Sequence, residues 1–131
     1  LPPVPADSRF RAALRVYALA PDATGALVPA KGVAGGVSIF AIDNPSFPIA
    51  QARLHFDDPV PAGADGLPPV APSFAILDLV AAFPQLANTG EYIVKLQPHG
   101  YAAAGVTQTY LWGFISVTNN DTQQVTMVAP R

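Results

Sequence analysis

A chain of 131 residues suits one domain that buries roughly two thirds of its unfolded surface in a core. Charged residues are 12% of it, against about 25% in an average soluble domain. A net charge of −2 with no lysine or arginine run argues against nucleic acid and anionic membrane as partners, and the absence of cysteine excludes disulfides and thiolate zinc.

No apolar run approaches the roughly 20 residues that span a bilayer. Half of the chain is hydrophobic, much of it alanine and valine. With so few charges to cover it, part of the apolar surface is expected to be covered by other chains. The first residue is leucine rather than methionine, as after removal of a signal peptide or in a trimmed chain. The composition points to the former and to an extracellular setting.

Residues 1–6 carry Pro2, Pro3 and Pro5, which withhold N–H donors and favour extended backbone. Residues 1–8 therefore read as an N-terminal arm, and residues 9–131 as a single domain. From Arg9 the chain alternates. Phe10, Ala12, Leu14, Val16 and Ala18 form one face, and Arg9, Arg11, Ala13, Arg15 and Tyr17 form a basic opposite face. The three arginines suit a solvated face more than an anion site.

Pro21 to Gly25 is turn chemistry, and a short strand follows at Leu27 and Val28 until Pro29 interrupts it. Gly32, Gly35 and Gly36 precede residues 37–42, which are apolar on both faces and read as an inner strand. Residues 43–48 are another turn, and Ala50, Ala52, Leu54 and Phe56 then alternate with Gln51, Arg53 and His55.

Residues 57–72 hold five prolines and three aspartates, which argue against helix and strand and for a stiff surface loop. Residues 73–83 fit two templates. Ser73 is able to cap a helix that Pro84 would end, while strand alternation fits slightly better with Asp78 as its misfit. Leu86, Thr89, Gly90 and Tyr92 then form a tyrosine corner: the ring is buried, its hydroxyl meets a nearby backbone group, and a strand begins. Along that strand Tyr92, Val94 and Leu96 oppose Ile93, Lys95 and Gln97.

The longest strand is expected over residues 106–118, with Tyr110, Trp112 and Phe114 on one face and Leu111, Ile115 and Val117 on the other. Apolar residues on both faces predict a strand covered on both sides, with Gly113 at a bulge or a close backbone approach. Asn119, Asn120 and Asp121 signal a hairpin into a last strand over 122–129. The sum is an all-β chain, a single Greek-key β-sandwich of seven to eight strands with a long Pro-rich loop.

The order of strand, turn, the glycines before residues 37–42, and the later stretch Thr89-Gly-Glu-Tyr-Ile-Val94 resembles the transthyretin-like and collagen-adhesin B-type modules of cell surfaces. It is also similar to immunoglobulin-like sandwiches in general. The resemblance covers about half of the chain and implies a structural role as stalk, pilus subunit or adhesin. It also implies one covalent device, a lysine joined to an asparagine beside a carboxyl, for which Lys31 or Lys95, Asn119 or Asn120, and Glu91 are the available groups.

Catalytic chemistry finds few footholds. His55 falls on a polar strand face and His99 in a turn, and neither has a metal-ligand neighbour at useful spacing. No serine stands in a Gly-x-Ser-x-Gly elbow, and Glu91 is the only glutamate. Asp57, Asp58 and Asp65 are weak calcium candidates without EF-hand spacing, better explained as loop solubility. No catalytic residue, metal or cofactor is therefore expected.

The expected function is that of a non-catalytic subunit of an extracellular filament, pilus-like fibre or surface lattice. Its partners are copies of itself, or other surface or virion proteins. Leu1, Val4 and Phe10 are its candidate contact residues, since the arm shows no internal partner and suits exchange between neighbours. A virion decoration protein shares these traits. The competing class is a carbohydrate-binding module using Tyr101, Tyr110, Trp112 and Phe114 as a platform, although a lone tryptophan on such a strand is more often core.

Overall fold

The computed structural model describes residues 1–30, 34–56, 73–99 and 108–130, with His99 as backbone only. Among these residues lie nine strands: β1 (Val4–Pro5), β2 (Phe10–Pro21), β3 (Leu27–Pro29), β4 (Ala34–Ala41), β5 (Ala50–His55), β6 (Ser73–Ile76), β7 (Glu91–His99), β8 (Tyr110–Asn119) and β9 (Val125–Val128). A four-residue helix α1 (Leu79–Ala82) and a 3-10 helix (Pro84–Asn88) separate β6 from β7.

The strands form two antiparallel sheets packed face to face. The first has the order β1-β7-β4-β5, and the second β3-β2-β8-β9, with β6 beside β3 on the same edge of β2. The all-β sandwich predicted from alternation is the fold. The strand count exceeds the expected seven to eight, because Val4 and Pro5 pair as a strand of their own.

Alternation in the sequence sorts each strand between core and surface. Ala12, Leu14 and Val16 of β2 point inward into one cluster with Ile115 and Val117 of β8 and Val37, Ile39, Leu54, Tyr92 and Val94 of the first sheet, while Ala18 and Ala20 form a second buried cluster with Ala30. Each fully buried aliphatic side chain of this kind stabilises the fold by about 1.5–3 kcal/mol. The sheets approach closely where glycine leaves room. A Cβ at Gly113 would stand 2.7 Å from Cδ1 of Leu96 and 3.0 Å from the Arg15 carbonyl oxygen. One at Gly35 would stand 2.6 Å from Cδ1 of Leu111. Each sheet thus seats a leucine in the other's glycine gap, and Gly113 is the close approach the sequence suggested. Gly35 and Gly36 do not precede β4 as expected but belong to it.

Three local expectations are corrected. The arm does have an internal partner: Val4 pairs with Tyr92 and Pro5 with Glu91, Leu1 N donates to the Val94 carbonyl at 2.8 Å, and Val4 is fully buried. Apolar burial of Val4 and Ala6 makes this docking favourable despite the missing proline donors. Residues 73–83 are neither one strand nor one helix. Ser73–Ile76 pairs with β2, and Asp78, the misfit of the strand pattern, caps α1 by accepting from Val80 N and Ala81 N at 3.0 Å each.

The third correction concerns the corner. Leu86 and Tyr92 are fully buried as predicted, and the Leu86 carbonyl accepts from Thr89 N and Thr89 Oγ1. Gly90 takes a φ of +69°, which a side chain would strain. The Tyr92 hydroxyl, however, is buried without a hydrogen-bond partner among the described residues. Burial, with the Asp78 charge adding to it, pushes its pKa well above the ordinary 10.0.

Candidate functional site

The sequence alternation that fills the core also determines what the second sheet presents to solvent. The odd-numbered positions of β2 (Arg11, Ala13, Arg15, Tyr17 and Leu19) lie outward, and the pairing register sets them beside Thr118, Ser116, Phe114, Trp112 and Tyr110 of β8. On the flanks, Ala75 stands opposite Arg15, and Met127 opposite Ser116. The expectation that β8 is covered on both sides is therefore corrected. Its inner face meets the first sheet, and its outer face is open among the described residues.

The rings on this face touch one another. Trp112 lies 5.7 Å from Tyr17 and 5.7 Å from Phe114, tilted by 40° and 55°. Trp112 remains 43% exposed and Tyr110 40%, while Leu77 and Met127 at the margins reach 73% and 65%. Trp112 is thus a surface residue, against the usual placing of a lone tryptophan in the core. Beside Phe114, Ala13 and Ala75 border a depression of about 160 Å³ that Arg15, Leu77 and Ser116 also line.

Among the described residues the charge on the face has one sign. Arg11 and Arg15 are exposed, and none of the outward residues of β2, β3, β6, β8 and β9 is acidic. The one ion pair among the described residues lies off this face, where Asp7 Oδ2 meets Arg9 Nη2 at 2.6 Å and holds the Asp7 carboxyl below its ordinary value. Asp22 is engaged in its own turn by Thr24, which lowers its pKa. The guanidiniums of Arg11 and Arg15 are left facing outward beside aromatic rings.

Of the residues named from the sequence, Tyr110, Trp112 and Phe114 come together, with Tyr17 added by register. Leu1 and Val4 lie across the molecule, on β7 of the first sheet, and Phe10 opens β2, its side chain packed on the core. Tyr101 and the calcium candidates Asp57, Asp58 and Asp65 lie outside the described residues, as does Lys31. His55 is exposed at the end of β5, and the His99 side chain is not described. Lys95 holds its ammonium 4.8 Å over the Phe40 ring, and Asn119 Oδ1 caps its turn by accepting from Asp121 N and Thr122 N. These two are engaged in separate sheets and do not meet as a lysine–asparagine cross-link requires.

Among the described residues no three of His, Asp and Glu gather as a metal site requires, and no helix is long and apolar enough to cross a membrane. Tyr17, Leu77, Ala13 and Ala75 went unrecognised as one surface because their adjacency depends on strand pairing. The alternation Arg11-x-Ala13-x-Arg15-x-Tyr17 was the only signal for part of it. Comparison with family models, with curated proteins and with solved structures returns no match.

Proposed function

We propose that the chain is a non-catalytic structural subunit of an extracellular assembly (a filament, pilus-like fibre or surface lattice) joined through copies of itself. One observation carries this reading: the outer face of the second sheet is aromatic and aliphatic where an isolated sandwich would be polar. Exposed apolar groups that touch one another, rather than scattered singly, mark contact surfaces. Aromatic residues and arginine are also the types enriched where proteins bind one another.

The N-terminal strand supports exchange between neighbours as a second means of joining. It forms two bridges only, and of its residues 2–5 Val4 alone carries an N–H. So thin a ladder exchanges readily with an identical one from another copy. The extracellular setting is supported by a composition low in charge and rich in proline.

The test is native mass by light scattering with electron microscopy of the same sample. Oligomers or filaments that Trp112→Ser disperses would support the contact face, and those lost on deleting residues 1–6 would support arm exchange. A monomer at every concentration overturns self-assembly. A second reading, a carbohydrate-binding module, is favoured by the Tyr17–Trp112–Phe114 contact itself, since sugar rings stack on such faces. Saturable quenching of Trp112 by glycans supports that module; emission indifferent to glycans removes it.

A further inference from the structure

We propose that the outer face of the second sheet binds a proline-rich, acidic peptide stretch, and that a second copy of the chain supplies it as residues 57–72. This inference rests on the self-assembly reading above and names the segment that the face takes.

The face supplies three complementary features. Tyr17, Trp112 and Phe114 make a row of touching rings, the surface on which proline rings pack and toward which a chain with fixed φ loses little entropy. The depression bordered by Ala13 and Ala75 accepts a small apolar side chain such as proline or valine. Arg15 at its rim and Arg11 further along offer planar donor forks to carboxylates, and among the described residues no acidic one shares the face.

Residues 57–72 match this feature by feature. They contain five prolines, two valines and three aspartates (Asp57, Asp58 and Asp65), with no lysine or arginine. The Arg-bearing face and the Asp-bearing stretch are different segments of one chain. A contact between them that two copies exchange reciprocally closes a two-fold dimer, and one that repeats head to tail produces rings or open fibres.

The experiment titrates a synthetic peptide of residues 57–72 into the intact protein and follows Trp112, the only tryptophan; the peptide has none. A saturable change in Trp112 emission is expected, weakened by added salt. Replacing the three aspartates of the peptide by asparagine is expected to weaken binding about tenfold, as is Arg15→Glu in the protein, whose exposed position leaves folding intact. No saturable change, or equal binding by the neutral peptide, overturns the inference.

Light scattering on the full chain carrying Asp57→Asn, Asp58→Asn and Asp65→Asn separates this from the assembly reading. Loss of oligomers in that variant supports the inference. Oligomers that persist while the peptide fails to bind overturn the inference and leave self-assembly standing. A wild-type chain that stays monomeric overturns self-assembly, and the second copy as the source, even if the peptide binds.

Discussion

Two positions show how sharply single side chains are constrained in this sandwich. The Tyr92 hydroxyl is buried without a partner among the described residues, so it contributes a desolvation cost and no hydrogen bond. Tyr92→Phe is therefore expected to leave stability unchanged or raise it by about 1 kcal/mol, read from the urea midpoint. A loss of similar size would mean the hydroxyl is bonded after all. Gly113 is the opposite case. A Cβ there meets the Leu96 side chain, which has room to turn, and the Arg15 carbonyl, which is backbone and does not. Gly113→Ala is expected to destabilise by about 1–3 kcal/mol. Unchanged stability would mean that the sheets are not packed this closely.

Elements differ in how much of them their own residues announce. β2 was legible because its alternation is unbroken over twelve residues and its inward side chains meet only other apolar groups. β1 was not, since one valine between two prolines carries no period, and what holds the strand is burial of Val4 beneath distant strands. The stretch 73–83 fits neither template whole because Asp78, a misfit in strand alternation, is the boundary between two elements. Its carboxylate ends the extended run and starts α1 by accepting from Val80 N and Ala81 N. Asp78→Ala is expected to cost about 1 kcal/mol, measured by chemical denaturation, with Asp78→Asn recovering most of the loss. Equal losses in both variants would remove the cap as the cause. The candidate face was half legible for a similar reason. Periodicity assigned Tyr110, Trp112 and Phe114 to one side of β8, but which side faces water depends on pairing that no local pattern contains.

At the scale of the molecule, charge is arranged by position. Among the described residues the aspartates occupy turns, caps and connections and Glu91 stands at the mouth of β7, while Arg11, Arg15, Arg53 and Lys95 stand on the outer sheet faces. The carboxylates held below their ordinary value of 3.8, Asp7 by Arg9 and Asp22 by Thr24, are both exposed. Because their folded values are depressed, their contribution is fully present above the unfolded value and is lost as pH falls through the folded one. The denaturation midpoint is thus expected to hold from neutrality down to about pH 4 and to decline below it. The pair Asp7→Asn and Asp22→Asn is expected to flatten that decline; an unchanged slope would place the acid sensitivity elsewhere.

The two-bridge attachment of β1 bears on how such a domain answers mechanical force. Tension entering through residue 1 meets the bond from Leu1 N to the Val94 carbonyl first and then Val4 and Pro5, and these part from β7 in sequence. The next segment, β2, is bonded over ten residues to β8 on one side and to β3 and β6 on the other. Roughly 25 Å of chain, about seven residues at their extended spacing, is released before that clamp is strained. A string of such domains would lengthen under a modest pull and recoil when it ceased, each one acting as a short spring in series with a stiff plate.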